Sequence, residues 1–154
     1  MTEYIKRIRE KIGHDRLIIA GAGVIIYKDG KVLLQKRNDN LTWSLHGGCV
    51  EVGERVYAAA KRELFEETGL TANNMTLYGV YSGEEMLYTY PNGDEVFIVG
   101  TIYFCTDFSG EMICETNETL ALEWFSVDAL PKEINPPDIQ PLMDLQAYLH
   151  NKKI

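Results

Sequence analysis

The chain is short of what would staple a fold, cross a membrane or bind a polyanion by bulk charge. Only three cysteines, Cys49, Cys105 and Cys114, stand among 154 residues, and none forms a CxxC pair. An odd, scattered set like this gives neither a disulfide framework nor a zinc knuckle. His-x-x-x-His spacing is also missing, so zinc lacks its usual donors. No apolar run reaches membrane-spanning length and no apolar leader opens the chain, which leads to the expectation of a cytoplasmic protein with no membrane partner. Basic residues are outnumbered, 15 against 23 acidic, for a net charge of −8. A binder of nucleic acid polymer would want a basic face, so that class is disfavoured. A nucleotide substrate is not, because its phosphates can be reached through a metal. Hydrophobic residues make up 45% and charged residues 25%, an ordinary globular mix. The length suits one domain spanning 1–154, without repeats or a low-complexity tail.

Along the chain, helix and strand signals alternate. Residues 3–12 predict a short helix, with Tyr4, Ile5, Ile8 and Ile12 as its apolar stripe and Lys6, Arg7, Arg9 and Glu10 outward. Ten residues are marginal alone, so this helix is expected to dock on the body or on another chain. Leu17–Tyr27 reads as a strand with a bend or bulge at Gly21 and Gly23. Asp29-Gly30 signals a hairpin into a second strand over 31–37. Strands are further predicted over 75–82, 86–90, 95–104 and 120–126, the last with Trp124 and Phe125 on opposite sides. Pro136 and Pro137 punctuate, and a terminal helix is predicted over 139–150, with Leu142, Met143, Gln146 and Leu149 along one side. Strands broken by a central helix and closed by a terminal one predict an α+β fold, a mixed sheet with helices on both faces.

The most informative stretch is 48–70, GCVEVGERVYAAAKRELFEETGL. Glu63, Glu66 and Glu67 stand at i, i+3 and i+4 and share one face of a helix. Like charges at that spacing repel by roughly 0.2–0.5 kcal/mol per exposed pair, and Arg62 to Glu66 gives only one compensating i,i+4 pair. Such a cluster suggests a cation between the carboxylates. Val56, Ala59, Ala60 and Leu64 make the opposite face apolar. Gly69 suits a left-handed C-cap with Leu70 beyond it. Gly47, Gly48 and Gly53 suit a tight loop close to a ligand.

This layout resembles the signature of the Nudix (MutT-like) hydrolases. Its fixed positions are filled by Gly48, Glu54, Arg62, Glu63, Leu64, Glu66, Glu67, Gly69 and Leu70. The resemblance implies an alpha-beta-alpha sandwich and a metal-dependent pyrophosphohydrolase using Mg2+, with Mn2+ also accepted. It makes Glu66 and Glu67 metal ligands, Glu63 a ligand or the general base, and Glu54 an outer or a water-mediated ligand. A carbonyl of Gly47 or Gly48 would complete the shell, Arg62 would orient the glutamates, and Arg37 would join Gly47 and Gly48 in binding substrate. Some relatives add a distant carboxylate, for which Glu118, Glu123 and Glu115 are candidates. Many have proline where this chain has His46, which is read as filling a partly exposed slot or contacting a phosphate.

The implied substrate is a nucleoside diphosphate linked to another moiety: a nucleoside triphosphate, nucleotide sugar, dinucleoside polyphosphate or ADP-ribose. The lack of an extra N-terminal domain disfavours the ADP-ribose branch. Trp43, Tyr81, Tyr88, Tyr90 and Phe104 are candidates to stack a base. A non-nucleotide diphosphate and a non-catalytic nucleotide-binding module stand as alternatives. A homodimer through the N-terminal helix or an edge strand is a further expectation.

Overall fold

The computed structural model describes residues 2–114 and 118–152. Glu115 lies outside them. In chain order the elements are α1 (Glu3–Ile12), β1 (Leu17–Lys28), β2 (Lys31–Arg37), β3 (Trp43–Ser44), β4 (His46–Cys49), α2 (Val56–Thr68), β5 (Thr71–Tyr81), β6 (Leu87–Thr89), β7 (Glu95–Ser109), β8 (Thr119–Ser126) and α3 (Pro136–Lys152). A 3₁₀ turn at Glu84–Met86 leads into β6.

The axis of the mixed sheet is β1. It runs parallel to β7 from Leu17 opposite Val96 to Ile26 opposite Cys105. Its middle pairs antiparallel with β4, and its last residues pair with β2 through the hairpin. β5 and β6 pair with β7, while β3 and β8 pair with β2.

Strand alternation sorts the core into layers. Val24, Ile26 and Leu33 face α2 and meet Ala59, Ala60 and Leu64. Ile25, Leu34 and Ile102 face the other way and meet Leu142 and Leu145 of α3. Trp124 joins the first layer and Phe125 the second, as their adjacency in sequence predicts. A third cluster, Ile5, Ile19, Tyr88 and Val96, docks α1. The result is a sandwich of three helices around a mixed sheet.

α2 follows its sequence closely. Leu64 is fully buried, which contributes roughly 1.5–3 kcal/mol. Gly69 ends the helix at φ 78, in the left-handed region that a residue with a Cβ avoids.

Other elements depart from expectation for physical reasons. β1 keeps continuous register with β7, so Gly21 and Gly23 mark no bulge. They allow close approach instead: a Cβ at Gly21 would lie 2.9 Å from Ile98, and one at Gly23 3.1 Å from the His46 carbonyl. Gly47 and Gly48 are in strand β4, not in a loop. In α1, Tyr4 is exposed and Arg9 turns inward, donating to the carbonyls of Gly13, Asp15 and Glu95. α3 begins at Pro136, because prolines lack only amides that a helix's first turn leaves unbonded. Met143 is exposed and Leu145 takes its place in the core. β5 starts at Thr71, directly after the helix cap, and β7 runs on to Ser109.

Candidate functional site

α2 presents its carboxylates toward a cavity of about 590 Å³. β1, β2, β4 and β7 wall it, together with the start of α3 and residues 38–39. Glu63, Glu66, Glu67, Arg62, Gly47, Gly48 and Arg37 all line it. Seven of the eight candidates named for the site therefore meet there; Glu54 is the exception.

Arg62 is the hub of the glutamate cluster. It clamps Glu54 with two hydrogen bonds, of 2.7 and 2.9 Å, and donates to Glu63 at 2.9 Å and Glu66 at 3.2 Å. A further bond runs to the Cys49 carbonyl. These contacts make Arg62 a positioning residue. They also engage Glu54, whose oxygens accept from Arg62 and from the Glu51 amide. The Arg62 guanidinium holds the Glu54 carboxyl below its ordinary range.

Glu67 is buried deeper. Gln35 and the Gly47 amide both donate to it. Glu63 stands close enough to Glu67 for each carboxyl to shift the other. Burial pushes both carboxyls up, and for Glu67 the charge of Glu63 pushes further. Two carboxylates this close cannot both ionise cheaply without a cation or a shared proton. Among the described residues, no three acid, histidine or cysteine side chains converge at metal-ligand distance. Arg62, Gln35 and the Gly47 amide hold the carboxylate oxygens that would otherwise face a common centre. The donor set itself, carboxylate and carbonyl oxygen without sulfur or free imidazole, fits a hard divalent cation.

The two glycines of β4 serve different ends. A Cβ on Gly48 would lie 2.5 Å from the Glu63 carboxylate, whereas one on Gly47 would strike the Ala22 carbonyl at 2.5 Å and Gly23 Cα at 2.8 Å. A side chain can move aside, but paired backbone cannot. Gly48→Ala is therefore expected to displace Glu63 and lower turnover with little change in melting temperature. Gly47→Ala is expected to lower the melting temperature by several degrees. Thermal unfolding and turnover measured on both variants check this contrast.

His46 is fully buried, which corrects the partly exposed slot. Its Nε2 lies 3.0 Å from the Leu33 carbonyl, and burial pulls its pKa down to about 4. A neutral imidazole packed behind Glu67 is not placed to meet a phosphate. Glu118 lines the cavity, while Glu123 is the exposed polar position of β8.

Arg37 sits between Asp39, at 2.8 and 2.9 Å, and the ring of Tyr88. Its guanidinium holds Asp39 down at about 2. Of the candidate base-stacking aromatics, Tyr88 and Tyr90 line the cavity; Trp43, Tyr81 and Phe104 pack against the α3 layer.

Several site residues escaped the sequence reading. Gln35 donates to Glu67 and to the Leu45 carbonyl and accepts from Thr119. A lone amide inside the apolar strand KVLLQKR is the signal that marks it. Asn135 and Asp138 form a second polar group, with Asn135 donating to Asp138 and burial pushing the Asp138 carboxyl up to about 6. Only Pro136 and Pro137 hinted at structure there, and neither points to chemistry.

A carboxylate-bearing helix at a cavity in an α/β/α sandwich suits an enzyme that holds a hard divalent cation beside its substrate. The chain belongs to the Nudix hydrolase family: the NUDIX domain model matches residues 18–145. It is 39% identical over 111 residues to an ADP-ribose pyrophosphatase of Methanocaldococcus jannaschii, covering 70% of this chain and 62% of the relative. A MutT-like protein of Streptomyces ambofaciens is 28% identical over 134 residues, 87% of this chain and 80% of the relative. The crystal structure of a MutT NUDIX hydrolase from Burkholderia pseudomallei superposes with TM-score 0.70 at 32% identity, covering 82% of this chain and 96% of that one. The chain is thus a hydrolase of the class that acts on nucleotide-linked diphosphates. No helix among the described residues is long and apolar enough to cross a membrane.

Proposed function

We propose that this enzyme cleaves, with Mg2+ or Mn2+, the diphosphate linkage of a nucleoside diphosphate joined to another moiety. The observation behind this reading is the convergence of Glu63, Glu66 and Glu67 from one helix onto the same cavity wall as Gly47 and Gly48. Glu66 and Glu67 would hold the cation, with Glu63 as a further ligand or the general base and the Gly48 carbonyl completing the shell. A divalent ion there supplies charge neutralisation of phosphate oxygens and an acidified water.

The remaining work falls to the chain itself. Arg62 keeps Glu63 and Glu66 aligned from one guanidinium and uses Glu54 as its anchor. Arg37 is the other arginine on the cavity wall and would receive the phosphates. Its ion pair with Asp39 holds it ready and yields when a more highly charged anion arrives. Tyr88 and Tyr90 offer faces for a base. Arg37→Ala is expected to raise KM roughly tenfold or more while changing kcat less, as loss of a charged contact worth about 1.5–3 kcal/mol implies.

The substrate class is tested by turnover with magnesium on canonical and oxidised nucleoside triphosphates, ADP-ribose, dinucleoside polyphosphates, nucleotide sugars and prenyl diphosphates. ADP-ribose earns its place from the archaeal relative's described activity. Turnover of a nucleotide member is the expected result. Cleavage of prenyl diphosphates alone would replace the nucleotide reading with a non-nucleotide one. Nucleotide binding without hydrolysis would favour the non-catalytic module.

A further inference from the structure

One face of the sheet is covered over only part of its length. α2 packs on Ala22, Val24 and Ile26 of β1, but Ile18 and Ala20 on the same face lie beyond it. The β7 register continues the strip, with Phe97 beside Ile18 and Val99 beside Ala20. Val80 and Leu77 of β5, opposite Thr101 and Tyr103, extend it across the sheet. Ile18, Leu77, Val80 and Val99 are 72, 64, 61 and 40% exposed.

We propose that this strip is the interface of a homodimer, in which the sheet faces of two copies pack on each other. The area supports a built surface. Those four side chains leave on the order of 400 Å² of apolar surface open, as large as the greatest patch on a typical monomer. A standard interface takes roughly 800 Å² from each partner, so the strip supplies the apolar centre of one.

Charge selects a second copy as the occupant. The chain is net −8, so two copies repel over most of their surface. Along the strip the outward residues are Ile18, Ala20, Phe97, Val99, Leu77 and Val80, with no acid among them. At one end Arg16 lies over the Phe97 ring and pairs with Glu95 at 3.5 Å. This Arg16–Glu95 pair is self-complementary about a two-fold axis, the commonest symmetry of soluble oligomers.

The strip also backs the site without blocking it. Ile19, Gly21 and Gly23 of β1 and Ile98, Gly100 and Ile102 of β7 line the cavity from the opposite face. Three of those six are glycines, and all six face away from the strip, so a partner packed there leaves the site open.

Sedimentation velocity over a range of concentrations tests the proposal. Wild type is expected to sediment at twice 17.5 kDa. Ile18→Glu and Val99→Lys, each made alone, are expected to sediment as folded monomers, with circular dichroism and turnover per chain unchanged. Tyr4→Glu, on the exposed side of α1, is expected to remain dimeric. Wild type at 17.5 kDa across the range would overturn the proposal, and that outcome depends on no variant folding. A folded strip variant that keeps the dimer mass, or a monomeric Tyr4→Glu, would overturn it as well.

Discussion

Glu66→Gln is expected to lower kcat at least about a hundredfold and to leave the fold intact. Of the three carboxylates on α2, Glu66 is the most open, with its side chain 55% exposed and Arg62 as its partner. Exposed ion pairs of this kind contribute about 0–1 kcal/mol, and glutamine keeps one oxygen to accept from Arg62. The substitution removes a negative charge at a proposed metal ligand while changing almost nothing in packing. Loss of a charge in direct contact with the cation would cost several kcal/mol of transition-state stabilisation, which sets the scale of the fall. Turnover and thermal unfolding of the same preparation check both halves. Full activity in a folded Glu66→Gln would remove Glu66 from the site.

Glu67→Gln is expected to lose activity and gain stability together when metal is withheld. Glu67 is buried, and its carboxyl is pushed well above its ordinary value by burial first and by Glu63 second. The sign follows from linkage. Below the unfolded carboxyl value, about 4.5, both states are protonated and the group costs nothing. As pH rises above it, the unfolded chain gives up its proton readily and the native site does not. Stability present in acid is therefore lost as pH climbs toward and through the raised native value. Glutamine carries no such proton, and its amide can donate to Glu63. In EDTA near neutral pH the variant should melt higher than wild type, by about 2–4 °C for each kcal/mol relieved. Its melting point should also fall less between pH 5 and pH 8. Magnesium should raise the wild-type melting point and leave the variant's almost unmoved, since binding to the native state alone stabilises it. A variant that melts lower than wild type in EDTA would mean that Glu67 is held as a structural carboxylate.

Residues 48–70 were the most legible part of the chain because their signal is local. Carboxylates at i, i+3 and i+4, an apolar face and a terminal glycine fix a helix and its two faces by short-range geometry alone. Gly69 adopts the left-handed cap its position predicts. α1 and β2 also end where their patterns end. What escaped was set by contacts distant in sequence. Arg9 reads as solvent-facing until β7 arrives to accept from it. His46 reads as partly exposed until the Leu33 carbonyl covers it. Gly47 and Gly48 read as a loop, because nothing local reveals that β1 pairs beside them. Glu54 reads as a ligand from its place in the motif, while the bidentate clamp of Arg62 appears only in three dimensions. Gln35, Asn135 and Asp138 meet the cavity from β2 and from around the start of α3, far in sequence from residues 48–70.

The most direct test of the central claim is the mass spectrum of products from a nucleotide substrate, in magnesium and in EDTA, with water labelled at oxygen. Cleavage within the diphosphate should release a nucleoside monophosphate and a phosphorylated remainder, one of them bearing the label, in magnesium only. Products freed by cutting a bond outside the diphosphate, or equal turnover in EDTA, would contradict the account.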